Sequence, residues 1–149
     1  MPKTKLADRK KKNRKKKKDK RPAPRGVSRT SAVQHIDWES VELEELNPLF
    51  RRQYVVGKNV MLSRIFLRNG SMVPKHSHHN EQISYVLEGA LKFSIDRKEF
   101  VVRAGEVLLI PPNVPHKVEA LEDTLSLDIF DPPRADWIDK TDDYLRKAK

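Results

Sequence analysis

The stretch "GSMVPKHSHHNEQISYVLEG", residues 70–89, places three of the chain's five histidines within four positions and frames them with two glycines. In a β-strand, residues two apart point to the same face, so an extended run here projects His76 and His78 together and turns His79 away. Imidazole is a common ligand of Zn, Fe, Ni, Cu and Mn. Isolated histidines are more often surface or hydrogen-bonded core residues, and the pair alone leaves both interpretations open.

Two further positions bear on this candidate site. If the strand continues, Gln82 shares the parity of the first two histidines, whereas Glu81 has the opposite parity. A fourth histidine, His116, lies in "PPNVPHKVEA" at the start of another predicted strand. An antiparallel barrel can bring the two segments together, and two histidines from one strand with one from another leave coordination positions open.

The chain from residue 60 onward shows the pattern of short strands separated by turns. The segments "QISYVLEG", "ALKFSI", "EFVVRAG", "EVLLIPP", "HKVEA" and "TLSLDIF" follow at even intervals with Gly or Pro between them. This pattern predicts an all-β fold, an antiparallel sandwich or barrel. Residues 37–55 indicate a short helical turn and an edge strand, and residues 135–148 predict a short C-terminal helix lying on the barrel.

The charge of the chain is concentrated at its N-terminus. Residues 1–30 contain ten Lys and five Arg against two Asp, a net charge of +13, and subtracting this from the whole-chain +10 leaves −3 for residues 31–149. Repulsion and the lack of apolar residues predict a disordered polybasic tail at 1–30, followed by a single domain at 31–149. The first aromatic residue is Trp38, so the tail is expected to make only nonspecific contacts with polyanions such as nucleic acid.

The composition also excludes several function classes. The chain has no cysteine, which rules out disulfides, thiolate ligands and Cys nucleophiles. No apolar run approaches the ~18 residues of a membrane span, and the basic N-terminus lacks the apolar core of a secretory signal. A soluble, cytoplasmic protein is expected.

Residues 70–89 resemble the first motif of the cupin superfamily, which runs Gly, five residues, His-x-His, three or four residues, Glu, six residues, Gly. Gln82 stands in place of the family's Glu and is the one departure from this motif. Its six-residue distance from Gly89 agrees with the strand parity, so Gln82 is favoured over Glu81 as a ligand. Glu81 takes that role only if a bulge after the histidines shifts the register.

Residues 105–120 resemble the second cupin motif, which runs Gly, five residues, Pro-x-Gly, two residues, His, three residues, Asn. Asn113 replaces the second Gly and Ala120 the final Asn, both at loop or packing positions. The resemblance covers roughly residues 55–131 and implies a double-stranded β-helix with one divalent metal ion, for which Zn, Ni, Fe and Mn all remain open. The implied ligands are His76, His78, Gln82 and His116.

Three segments, "HSHHNEQISYVLEGALKFSID", "IPPNVPHKVEALED" and "DIFDPPRADWI", look like the KdgF family, cupins of pectin and alginate breakdown. That family converts cyclic 4,5-unsaturated uronates, released by polysaccharide lyases, into the linear 4-deoxy-5-keto uronate. The resemblance implies that Asp128 and Arg134 are catalytic residues, and that Phe130 and Arg134 bind the substrate.

The implied roles agree with elementary chemistry. Neutral His and Gln ligands leave a divalent metal its full charge, which favours an anionic substrate that supplies the missing negative charge. Asp128 would move a proton, Phe130 would pack against the sugar, and Arg134 would pair with the carboxylate. Without the resemblance, structural roles are favoured: an edge or turn carboxylate for Asp128, a core position for Phe130, and an ion pair with Asp131 or Asp136 for Arg134.

The sequence also leaves open two other functions, oxygen chemistry and ligand binding, and it predicts a homodimer. A cupin with this ligand set can also hold Fe, Ni or Cu and activate oxygen, as a dioxygenase does, or it can be a noncatalytic binder of a small ligand. A barrel of this size leaves a sheet edge to cover, which predicts a homodimer with residues 49–56 as the exchanged or paired edge.

Overall fold

A computed structural model describes residues 32–146, so the polybasic tail predicted for residues 1–30 lies outside the described residues. Within 32–146 the chain forms ten β-strands, preceded by a 3₁₀ turn (Trp38–Ser40). Two one-turn helices follow, α1 (Ala135–Ile138) and α2 (Asp143–Arg146), and neither is long and apolar enough to cross a membrane. The strands are β1 (Glu44–Asn47), β2 (Phe50–Val56), β3 (Met61–Leu67), β4 (Met72–His76), β5 (Glu81–Glu88), β6 (Ala90–Ile95), β7 (Lys98–Arg103), β8 (Val107–Ile110), β9 (His116–Ala120) and β10 (Thr124–Asp131).

The strands form two antiparallel sheets with an apolar core between them. One sheet has the order β1-β2-β3-β10-β5-β8, and the other has the order β4-β9-β6-β7. Alternate residues of β3 are buried, as expected of strands with one face on a core. Buried side chains from both sheets, among them Ile65, Phe93, Val118 and Phe130, pack together. The all-β, double-stranded β-helix expected from the sequence is confirmed.

Two local predictions are wrong in detail. Residues 49–56 are not an edge, because β2 pairs with β1 on one side and β3 on the other, and the edges of this sheet are β1 and β8. The single predicted C-terminal helix is divided into α1 and α2. Lys140 has a positive φ of 60°, a left-handed conformation that ends an α-helix.

The C-terminal segment is held on the barrel by buried apolar and charged contacts. Trp137 and Leu145 are buried in the core. Arg52, fully buried in β2, forms an ion pair with Asp142 at 2.7 Å between Nη1 and Oδ2, and Asp142 is also fully buried. Because removing one partner of a buried pair strands the other charge, this pair fixes the backbone just before α2.

One glycine is required by close packing as well as by backbone conformation. Gly89 joins β5 to β6 with φ +92°, and an added Cβ would lie 2.3 Å from the Asp123 carbonyl oxygen. Gly105 has φ +90° and open space around its Cβ position.

We expect Gly105→Ala to cost about 1–2 kcal/mol of unfolding free energy for the conformation alone. Gly89→Ala should cost about 1–3 kcal/mol more, because backbone must shift. Denaturant unfolding of both variants measures this, and equal losses would contradict the packing explanation.

Candidate metal centre

Three histidines meet at one end of the paired strands β4 and β9. His76 ends β4 and lies opposite His116, the first residue of β9, while His78 follows in the next turn. Their ligand nitrogens all lie within 4.8 Å of one another. The ring centroids are 4.3 Å apart for His76 and His116 and 5.1 Å apart for His78 and His116. The structure therefore brings together all three histidines that the motifs single out.

The ring orientation of each histidine is set by a backbone hydrogen bond. In His76, His78 and His116, Nδ1 lies 2.8, 3.1 and 2.8 Å from a carbonyl oxygen two residues away. A carbonyl oxygen only accepts, so each Nδ1 carries the proton and each neutral ring has its lone pair on Nε2. The Nε2 atom of His116 is buried and has no hydrogen-bond partner among the described residues. Such backbone bonds orient histidines that bind metals through the other nitrogen.

Gln82 adds an oxygen to the three imidazoles. Its Oε1 lies 3.1 Å from Nε2 of His78, and its amide nitrogen donates to Ser84 Oγ at 2.9 Å. With the His78 proton on Nδ1, both atoms of the 3.1 Å contact are acceptors, and a cation coordinated by both would remove this repulsion. The residues therefore fit a divalent metal ion held by three Nε2 atoms and the Gln82 carbonyl oxygen. Glu81 is exposed, on the other face of β5.

The segment from His76 to Gln82 is not one continuous strand, although the expectation that His76, His78 and Gln82 share a face assumed that it is. Residues 77–80 form a turn between β4 and β5. Asn80, which is buried, holds this turn by donating through Nδ2 to the carbonyl oxygens of Pro132 (2.6 Å) and Pro133 (3.2 Å). The expectation of an extended run is wrong, although Gln82 still faces the histidines because β5 starts in the matching register. His79 is exposed.

A half-buried carboxylate lies in the same cavity. Asp128 on β10 accepts a hydrogen bond from Ser84 Oγ at 2.7 Å, so a continuous chain of contacts joins His78, Gln82, Ser84 and Asp128. Burial raises the pKa of Asp128 to about 6, and the hydrogen bond from Ser84 opposes this. Sequence reasoning missed Ser84, although its parity with Gln82 along β5 would have placed it on the same face.

Arg134 lies just before α1 and is buried. It forms an ion pair with Asp136, one of the two structural pairs expected from the sequence. Its Nε and Nη2 donate to the two carboxylate oxygens of Asp136 at 2.9 and 2.8 Å. Its guanidinium lies 5.0 Å from the Phe130 ring and 4.8 Å from the Trp137 ring. Asp131 is exposed and is not its partner in the described structure. Arg134 and Phe130 nevertheless line the same cavity as Asp128.

Tyr144 on α2 also reaches the centre, which no pattern in the sequence indicated. The sequence predicts only that it lies in a C-terminal helix, residues 135–148, packed on the barrel. In the structure its ring centroid lies 4.8 Å from that of His76, and its hydroxyl accepts a hydrogen bond from Arg134 Nη2 at 2.6 Å. Burial raises its pKa, so the phenol is neutral at ordinary pH.

The histidines are held neutral by their surroundings. Burial lowers the pKa of His76 to about 3, with the neighbouring His116 adding to the effect. Burial also lowers the pKa of His78 to about 4 and lowers that of His116. Neutral imidazoles are the form that binds metals, so the centre keeps its lone pairs well below neutral pH.

These shifts predict how the stability of the metal-free protein depends on pH. Between pH 6.5 and 5 the unfolded chain protonates its histidines, whereas folded His76 and His78, with pKa values of about 3 and about 4, stay neutral, so acidification favours unfolding. Asp128 opposes this by one proton, because its raised pKa lets the folded protein take one up. His76 and His78 together outweigh Asp128, and the lowered pKa of His116 acts in the same direction, so the unfolding temperature should fall by several degrees. His76→Asn should reduce this fall, and His79→Asn, at an exposed position, should leave it unchanged; an equal fall in both variants would contradict the cluster's role.

Comparison with known sequences shows a likeness to cupins in the part of the chain that holds the histidines. The sequence profile of the cupin domain family matches residues 64–131. The uncharacterized protein MJ1618 of Methanocaldococcus jannaschii is 36% identical over 64 residues, covering 42% of this chain and 51% of that protein. The matched region thus spans about half the length of this curated relative.

Solved structures extend the likeness to the barrel. An RmlC-like cupin from Shewanella frigidimarina (27% identical, 96% of that chain covered) and KdgF from Halomonas sp. (24% identical, 99% covered) each match 71% of this chain with a TM-score of 0.66. Bacillus subtilis oxalate decarboxylase, studied for its Mn(II) centres, matches 69% of this chain and 31% of its own at 20% identity, with a TM-score of 0.60. The profile match and these neighbours show that residues 64–131 are a cupin domain and that the barrel resembles KdgF in fold.

Proposed function

We propose that this protein is a metal-dependent enzyme that opens the ring of 4,5-unsaturated uronates to give linear 4-deoxy-5-keto uronates. One observation carries the proposal. Two histidines of the cluster (His76 and His116) line a single cavity inside the barrel, together with Gln82, a half-buried carboxylate (Asp128) and a buried cation (Arg134), and His78 completes the cluster beside them. A metal site, a proton-transfer group and an anion-binding group are the three parts that this reaction requires.

The charge of the centre supports an acidic substrate. The four proposed metal-binding groups are neutral, and Arg134 adds a positive charge to the same cavity. Asp128, with its pKa raised to about 6, loses its compensating charge as the pH falls below 6. The metal ion, when bound, would supply Lewis-acid stabilisation for negative charge on substrate oxygens. A uronate carboxylate provides the missing negative charge.

Asp128 is the proton-transfer residue of the proposed reaction. Its carboxylate takes the proton of the anomeric hydroxyl, the C1–ring-oxygen bond breaks as the C1 carbonyl forms, and the ring oxygen becomes the enol oxygen at C5. Delivery of a proton to C4 then gives the 5-keto product, so no oxidant or reductant is consumed. A pKa of about 6 suits a group that both accepts and donates a proton near neutral pH. The Ser84 hydroxyl holds the carboxylate in place.

Arg134 and Phe130 orient the sugar in this proposal. Asp136 occupies the Nε–Nη2 edge of the Arg134 guanidinium. A substrate carboxylate therefore pairs with the Nη1–Nη2 edge, whose Nη1 has no hydrogen-bond partner among residues 32–146. Phe130 packs edge-on against His78 at 5.7 Å between centroids and offers an apolar wall beside the site.

Metal removal tests the proposal directly. The unsaturated acid absorbs in the far ultraviolet and the linear product does not, so loss of absorbance follows the reaction. We expect the protein to accelerate this loss above the spontaneous rate. Acceleration should disappear after chelation and return with one equivalent of Mn²⁺, Ni²⁺, Fe²⁺ or Zn²⁺. No acceleration by folded, metal-loaded protein would reject ring opening and leave oxygen chemistry or noncatalytic ligand binding.

The proposal includes a cytoplasmic homodimer. On the outer face of the six-stranded sheet, Tyr85 pairs with Val107 and Ile83 with Leu109, and Val107 and Leu109 are at least half exposed. Exposed apolar patches of this kind are typical of interfaces between proteins. Residues 1–30, with a net charge of +13, would make nonspecific contacts with polyanions. Sedimentation at micromolar concentration showing a monomer would reject the dimer.

A further inference from the structure

Tyr144 lies between a proposed metal ligand and the proposed substrate arginine. Its ring covers His76 at 4.8 Å between centroids, with the planes inclined by 33°. Its hydroxyl accepts the 2.6 Å hydrogen bond from Arg134 Nη2. Nη2 also donates to Asp136, so the Tyr144 hydroxyl takes its second N–H, on the Nη1–Nη2 edge where an anionic group would bind Arg134.

The cavity is too small for a sugar acid while Tyr144 stays in this position. Its volume is about 50 Å³, and Tyr144 is part of its lining together with His76 and Arg134. A water molecule needs about 10–15 Å³ in such a cavity, whereas sites for small organic ligands usually measure about 300 Å³ or more. A uronate bound at the histidines must therefore displace part of the lining.

Tyr144 is the part of this lining that is best placed to move. The backbone on both sides of it is anchored, by the buried Arg52–Asp142 ion pair before it and by the buried Leu145 after it. Its own side chain is half-buried, and the hydrogen bond to Arg134 is the one recorded for its hydroxyl among the described residues. Rotation of this side chain would open the site while these contacts keep α2 in place.

We propose that Tyr144 is a gate and a specificity residue of this site: its hydroxyl stands in for the acidic group of the ligand at Arg134, and a uronate carboxylate displaces it. The inference rests on the proposed function in one respect, namely that Arg134 binds the acidic group of the substrate. It explains why a buried arginine that already holds Asp136 also holds a phenol. A neutral sugar lacks a group that competes for this donor, so the gate selects acids.

Galacturonate, a saturated uronate, tests the gate without turnover. In zinc-loaded protein, Tyr144→Phe keeps the ring over His76 and removes the competing hydroxyl. We expect it to bind galacturonate about tenfold more tightly than the wild type by calorimetry, since a hydrogen bond to a charged group is lost from the free protein alone. Galactose binding should not tighten. Tyr54→Phe is the matched control, because the Tyr54 hydroxyl contacts the carbonyl oxygen of Trp137 and neither His76 nor Arg134.

A second measurement tests whether the ring covers the metal. Tyr144→Ala should speed the extraction of zinc by a chelator several-fold, while Tyr144→Phe should extract at the wild-type rate. Thermal unfolding of each variant confirms the fold. Galacturonate binding that is unchanged, weaker or undetectable in Tyr144→Phe, or tightening that extends to galactose, would overturn the gate. Turnover of the unsaturated uronate is measured separately, so failure of ring opening and failure of the gate are distinguished.

Discussion

Replacing Asp128 by asparagine is expected to lower kcat for ring opening by about 10²–10⁴-fold, the usual contribution of a positioned acid–base group. Asparagine keeps the shape of the side chain and accepts the hydrogen bond from Ser84, which is 2.7 Å long in the wild type. It neither takes the anomeric proton nor returns one to C4. Because Asp128 is not a proposed metal ligand, the variant should bind one metal ion as tightly as the wild type.

Asp131→Asn is the matched control for this prediction. Asp131 lies three residues further along β10, and its side chain is exposed rather than directed into the cavity. The same chemical change there should leave kcat within about twofold of the wild type, since surface substitutions are usually near neutral. An Asp128→Asn enzyme with unchanged kcat would remove Asp128 from the mechanism. Equal losses in both variants would point to a nonspecific effect of charge.

His116→Ala is expected to abolish stoichiometric metal binding. His116 is the one ligand supplied by β9, and its Nε2 is buried without a protein partner in the described residues. Loss of even an outer-shell partner typically costs about 10–100-fold in metal affinity, so loss of a ligand should cost more than about 100-fold. Calorimetric titration with Zn²⁺ measures the change, and metal-dependent activity should disappear in parallel.

His79→Ala serves as the control for metal binding, because His79 is exposed and lies beside the cluster in sequence without joining it. It should titrate like the wild type, with one ion per chain. Tight one-to-one binding by His116→Ala would mean that the ion is held elsewhere. A similar loss in His79→Ala would contradict the ligand set derived from the ring orientations.

Much of this site could be predicted because it depends on local patterns. The alternation of apolar residues and the spacing of Gly and Pro specify the strands. Gln82 was favoured over Glu81 by parity and spacing, and in the structure Gln82 faces the histidines while Glu81 is exposed. The Arg134 partner was one of two carboxylates near it in sequence, and the structure selects Asp136.

Other features depend on contacts between residues far apart in sequence. Tyr144 meets His76 only because the C-terminal segment folds back over the barrel, and the polarity of α2 does not specify that target. Arg52 pairs in the interior with Asp142, ninety positions later in the chain. The turn at residues 77–80 is held by hydrogen bonds from the Asn80 amide to the carbonyl oxygens of Pro132 and Pro133. The spacing of residues along one strand or helix does not predict contacts between residues so far apart in sequence.

Proton NMR of the 4,5-unsaturated monouronate with metal-loaded protein in oxygen-free buffer tests the central claim most directly. The account predicts that the olefinic H4 signal decays faster than in the absence of protein and that the linear 4-deoxy-5-keto uronate appears in equal amount. In D₂O, deuterium should enter at C4, where the proposed proton delivery occurs. Decay at the spontaneous rate by folded, metal-loaded protein would contradict the account, as would a reaction that proceeds only when oxygen is present.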